Sequence, residues 1–92
     1  MDTDDYNYNG NLMIKANFIK CKLLMQQGKV DDAIDEISSL IRKDKDNEEF
    51  LFFRVKLFLL SNKPAKAIDD LKKLKRMNFQ PAQELYTKYS VE

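Results

Sequence analysis

The sequence predicts an all-α chain in which antiparallel helix pairs stack side by side. Three observations carry this. Shifted by 34 residues, the stretch Gly28-Lys29-Val30-Asp31-Asp32-Ala33-Ile34-Asp35-Glu36-Ile37 falls on Asn62-Lys63-Pro64-Ala65-Lys66-Ala67-Ile68-Asp69-Asp70-Leu71. A fixed period of this size marks supersecondary units that bury their cores only against their neighbours. Apolar residues recur at spacings of three and four, the helical period, and the stretches that carry this pattern are separated by turn residues: Gly28, Asn47 and Asn62.

The match continues upstream of the turn, where Lys20, Cys21, Lys22, Leu23 and Leu24 fall opposite Arg54, Val55, Lys56, Leu57 and Phe58. Each unit thus reads as an apolar-rich first helix, a break, and a second helix that opens under Asp or Pro. Pro64 suits a first helical turn because an N–H there would lack an intrahelical partner anyway. Helices are expected over 11–26, 30–43, 48–61, 65–76 and 82–90.

Taken in order, residues 1–10 are acidic and polar and are expected to form a flexible leader, with Asn11 capping the first helix. In that helix Leu12, Ala16, Ile19 and Leu23 make one stripe that is expected to be buried, widened by Met13, Ile14, Phe18, Leu24 and Met25. The second helix places Ala33, Ile34, Ile37, Leu40 and Ile41 on one face. Its Asp31, Asp32, Asp35 and Glu36 lie toward the N-terminal end, where the helix dipole favours negative charge. The third, from Glu48 to Ser61, is apolar nearly all round and is expected to be buried on most sides. The fourth follows Pro64. The fifth opens at Pro81 and carries Leu85 and Tyr89 inward, with Gln83, Glu84, Thr87, Lys88 and Ser90 as a polar outer face suited to capping an array.

Composition narrows the function classes. The 92 residues are 43% hydrophobic and 34% charged, enough for one small domain, and no apolar run approaches the ~20 residues that span a bilayer. With 16 basic and 15 acidic side chains the net charge is +1, so bulk attraction to nucleic acid or anionic lipid is not expected. One cysteine forms no internal disulfide, and the polar N-terminus is unlike a secretory signal, so an intracellular, cytoplasmic setting is expected. Histidine is absent, which removes the usual general base and the commonest metal ligand. Cys21, opposite Val55 on a helix face, reads as a packing residue. Asp44, Asp46 and Glu48 alternate as in a calcium loop but lack its glycine and its closing glutamate. Neither an enzyme nor a cofactor or metal site is expected.

The spacing and the residues resemble the tetratricopeptide repeat family, with repeats over 14–47 and 48–81 and a partial, capping repeat over 82–92. Ala33 and Ala67 match the small residue at the close helix contact, Cys21 and Val55 the other small position, and Leu24 and Phe58 the large aromatic one. Lys20 and Arg54 depart from a usually apolar slot, as do Asn17 from a bulky one and Lys45 from the usual Pro. The resemblance implies a right-handed solenoid that works as a protein-binding adaptor, scaffold or complex subunit through a concave groove. The groove residues implied are Lys15, Phe18, Ile19, Lys22 and Met25 on the first helix, Phe52, Phe53, Lys56 and Leu59 on the third, and Tyr86 on the fifth. Gln26, Glu49, Leu60, Gln83, Thr87 and Ser90 share those faces.

Family members that hold the acidic tails of the chaperones Hsp70 and Hsp90 use a clamp of Lys, Asn, Asn, Lys and Arg. Here those positions read Phe18, Lys22, Phe53, Gln83 and Thr87, so no such clamp is expected. An apolar groove edged by Lys15, Lys22 and Lys56 suits an amphipathic or apolar protein segment with some acidic residues. A second copy of the chain, or a larger assembly, is the alternative occupant. The basic stretch Lys72, Lys73, Lys75, Arg76 is the weakest alternative, a nucleic-acid contact, because it lacks interleaved aromatics; Asp69 and Asp70 one turn earlier are expected to pair with it.

Overall fold

The computed structural model describes the backbone of residues 3–89 and the side chains of residues 12–89. Five helices follow one another: α1 (Thr3–Gln26), α2 (Val30–Lys43), α3 (Glu48–Leu60), α4 (Pro64–Arg76) and α5 (Gln80–Tyr89). Each packs against the next in chain order. No described residue is in a strand, and no helix among them is long and apolar enough to cross a membrane.

The repeat seen in the sequence is repeated in the backbone. α1 ends at Gly28 with φ +80°, and α3 ends at Asn62, 34 residues later, with φ 61°. Both turns close with the same pair of hydrogen bonds. Lys29 N–H donates to the Leu24 carbonyl at 2.8 Å and Gly28 N–H to Met25 at 3.0 Å; Lys63 N–H donates to Phe58 at 2.8 Å and Asn62 N–H to Leu59 at 3.1 Å. This is the Schellman ending, which needs one left-handed residue and satisfies carbonyls the helix leaves open. The core repeats too: Cys21 and Val55, Ala33 and Ala67, Ile37 and Leu71, and Leu40 and Leu74 are all fully or almost fully buried. The two alanines let the helices of each pair approach closely.

The expected break at Asn11 is not there. α1 runs unbroken from Thr3, so the stretch read as a polar leader is helical from residue 3 on, while Met1 and Asp2 and the side chains of residues 1–11 lie outside the described residues. Extending a helix already anchored by packing needs no new nucleus.

A second correction concerns which stripe of α1 is buried. Leu12, Ala16, Ile19 and Leu23, expected inside, are exposed, at 44% for Leu12, 58% for Ile19 and 51% for Leu23. The face that packs on the rest of the molecule is Phe18 and Cys21, with Ile14, Leu24 and Met25 half-buried beside them. α1 is apolar on two opposite sides, and its periodicity alone does not say which side meets α2 and α3.

The connections between pairs differ. α2 leads into α3 through Asp44-Lys45-Asp46-Asn47, and the Asn47 side chain caps α3 by accepting from the Phe50 N–H at 3.0 Å. At the end of α4 the left-handed residue is Asn78, φ 62°, and another Schellman pair closes the turn, Phe79 N–H to Leu74 and Asn78 N–H to Lys75, both at 3.0 Å. The chain reverses sooner there, so α5 begins at Gln80 and not at 82, and the strict period ends with α4. Pro81 is the second residue of α5, where its missing N–H costs nothing.

Candidate functional site

α3 is apolar all round because it is central. Phe50, Leu51, Phe53, Val55, Leu57 and Phe58 are buried against α2 and α4 and beneath α1. Leu60, at the end of α3, is 62% exposed, and the edge formed by Glu48, Glu49, Phe52 and Lys56 faces α1 across a pocket of about 370 Å³. Phe18 and Lys22 of α1 and Phe79 of the α4–α5 turn complete the lining.

The pocket is built on packed aromatic rings. Phe18 lies 5.3 Å from Phe53 at 82° between planes, and 5.0 Å from Phe50, both edge-on or tilted contacts that ring quadrupoles favour. Phe52 meets Phe79 at 5.2 Å in the same way. Phe18 and Phe53, at 9% and 7% exposure, form the floor; Phe52 and Phe79 are half-buried and form one wall.

Two lysines lean over these rings. Lys22 Nζ is 4.5 Å from the centre of Phe18 and Lys56 Nζ is 4.9 Å from that of Phe52. Ammonium groups at that range are drawn to the ring faces. Glu48 and Glu49 stand opposite, in the first turn of α3 where the dipole favours them. The rim is therefore of both signs, and not the purely basic edge that Lys15, Lys22 and Lys56 suggested.

Of the residues expected on the groove faces from the sequence, Phe18, Lys22, Glu49, Phe52, Phe53 and Lys56 come together here. Lys15 lines an adjoining hollow of about 310 Å³ with Ile14, Phe18, Asp44, Asn47, Glu49 and Phe50. Ile19 lies on the outward side of α1, and Met25 and Leu59 are half-buried against the core. Tyr86 sits on α5 beneath Lys75, whose Nζ is 4.6 Å from its ring centre. Ser90 lies outside the described residues. Sequence reasoning missed Phe79 as a pocket residue. Its signal was the preceding Asn78: an apolar residue just after a left-handed helix ending commonly folds back onto the structure.

The remaining candidates are structural. Cys21 is fully buried, and burial, reinforced by nearby Glu36, pushes its thiol up to about 11, the opposite of what a nucleophile needs. Asp46 binds Lys73 at 3.3 Å, and Asp44 accepts from the Asn47 amide at 3.1 Å. Among the described residues no three acidic, cysteine or histidine side chains converge as metal ligands.

The basic stretch is dispersed: Lys73 crosses to the α2–α3 turn, where it also donates to the Lys45 carbonyl at 2.7 Å, and Lys75 covers Tyr86. Asp70, expected to pair with that stretch, is turned inward to Arg54 instead. No protein-family model matches the chain, and neither does any curated protein or solved structure.

Proposed function

We propose that this chain is a protein-interaction module, a short helical repeat of the tetratricopeptide kind that takes an apolar side chain of a partner segment between α1 and α3. The observation that carries this reading is the pocket itself: four phenylalanines walling about 370 Å³, open at a rim of Lys22, Lys56, Glu48 and Glu49. A concave apolar site with a few placed charges is what an anchoring Leu, Phe or Met needs, with the rim setting orientation. The 34-residue correspondence of turns, buried alanines and core residues supports the family reading. The absence of histidine and the buried, protonated thiol favour binding over catalysis.

The test is NMR titration of the labelled full chain with amphipathic helical peptides bearing a central Phe or Leu. Shifts centred on Phe52, Lys56 and Phe79 that vanish in Phe52→Asp support the reading. Binding that persists in that variant, or shifts confined to other faces, overturns it. Self-association through the same pocket, the rival occupant, would appear as concentration-dependent shifts of these residues without peptide.

A further inference from the structure

The outward stripe of α1 has a geometry of its own. Leu12, Ala16, Ile19 and Leu23 are separated by four, three and four residues, the alternation of a coiled-coil seam, and all four are exposed. With Met13, 65% exposed, beside its first residue, this stripe lies on a helix whose other side is already packed and fits one further helix laid along it. Lysines flank the seam on both sides. At ~100° per residue, Lys15 and Lys22 stand on one flank and Lys20 on the other, all exposed.

These flanks select the occupant. Were a second copy of α1 to pair along this seam, its own Lys15, Lys20 and Lys22 would face these lysines in either the parallel or the antiparallel arrangement, and like charges across a seam oppose pairing. An acidic helix meets no such penalty. We infer that the outer face of α1 docks an amphipathic partner helix whose apolar seam is flanked by Asp or Glu. Acidic groups stand by both flanks: Glu36 holds Lys20 from α2 at 3.2 Å, with Asp32 and Asp35 beside it, and Asp44, Glu48 and Glu49 share the hollows that Lys15 and Lys22 line. None of these last three acids is within ion-pair distance of Lys15 or Lys22, so the charge of those two lysines remains for an acidic partner to meet. The four seam residues are not among those lining the phenylalanine pocket, although Lys22 borders both, its ammonium lying 4.5 Å from the centre of the Phe18 ring.

The experiment uses two synthetic three-heptad peptides, identical in their Ile and Leu seam, one with Glu and one with Lys at the flanking positions, titrated into the full chain by calorimetry. The Glu peptide should bind at least ~10-fold more tightly than the Lys peptide, with affinity falling as salt is raised. Ile19→Glu with Leu23→Glu should abolish binding, and because both residues are exposed the variant should keep its circular dichroism. Lys15→Glu with Lys20→Glu, which leaves the pocket's Lys22 in place, should reverse the preference toward the Lys peptide, a gain that misfolding does not produce. Equal binding of the two peptides, or binding unaffected at Ile19 and Leu23 but lost in Phe52→Asp, would overturn the inference. So would a wild-type dimer that the Ile19 and Leu23 changes dissociate, which would assign the face to a second copy.

Discussion

Arg54 holds Asp70 in a two-pronged grip, Nε donating to Oδ2 at 2.7 Å and Nη2 to Oδ1 at 2.8 Å, while Nη1 donates to the Ser38 hydroxyl at 3.0 Å. One guanidinium on α3 thus ties α2 to α4. The preceding unit carries the same arrangement in weaker form: Lys20 meets Glu36 at 3.2 Å, each partner 34 residues before its counterpart. The basic residue at this position of each first helix is therefore explained locally, by an acid on the second helix of the same pair.

The two pairs should differ sharply in worth. Asp70 is 6% exposed, so removing Arg54 leaves a buried carboxylate with no cation, whereas the side chains of Lys20 and Glu36 are 58% and 33% exposed and open to water. Arg54→Ala is expected to cost about 3 kcal/mol, and Lys20→Ala no more than about 1 kcal/mol. Urea unfolding of the two variants measures this; equal losses would mean that the Arg54 grip is as solvent-screened as the surface pair.

Gly28 offers a test of backbone against packing. A Cβ built there meets nothing within 4 Å, yet φ is +80°. Gly28→Ala should cost roughly 1–2 kcal/mol from the left-handed conformation alone. Gly28→Asn should lose less, since Asn62 and Asn78 already hold the equivalent conformation in the other two turns. Thermal unfolding of the pair checks the order.

The repeat unit was legible because each of its constraints is local. A left-handed ending, an alanine at the close contact and a helical apolar period all leave marks within one segment, and α2, α3 and α4 lie within a residue of where the sequence put them. What was not legible depends on neighbours. α1 has two apolar sides, and only the placement of Phe18 against Phe50 and Phe53 decides between them. Asp70 could serve Lys73 or Arg54, and the choice follows from its lying on the inward face of α4. The pocket was read in part for the same reason: six of its residues share the groove faces of the first helices, but Phe79 arrives from a turn.

Cys21 links stability to alkaline pH. Burial raises its folded-state pKa from 9.0 to about 11, so the neutral thiol's contribution is complete below pH 9 and is lost as pH rises from 9.0 toward 11, where the unfolded chain ionises first. Cys21→Ala should flatten the fall in unfolding free energy over that window relative to the wild type. A thiol-specific reagent should react with the native protein only as fast as it opens; immediate reaction at neutral pH would show that the side chain is not enclosed.

Phe52 and Phe53 are adjacent, and the sequence assigns both to the groove. The structure divides their work. Phe53 is 7% exposed and packs edge-on against Phe18, while Phe52 is half-buried at the edge of the core, with the Phe79 ring and the Lys56 ammonium against its own ring. Truncating a well-packed core phenylalanine costs about 3–5 kcal/mol, a large share of the stability of so small a domain. Phe53→Ala should therefore unfold much of the population at room temperature, whereas Phe52→Ala should remain folded and lose peptide binding. Denaturant midpoints separate the two. If Phe52→Ala proves as destabilising as Phe53→Ala, its ring belongs to the core, and the pocket it walls is a packing defect between α1 and α3 with no room for a partner's side chain.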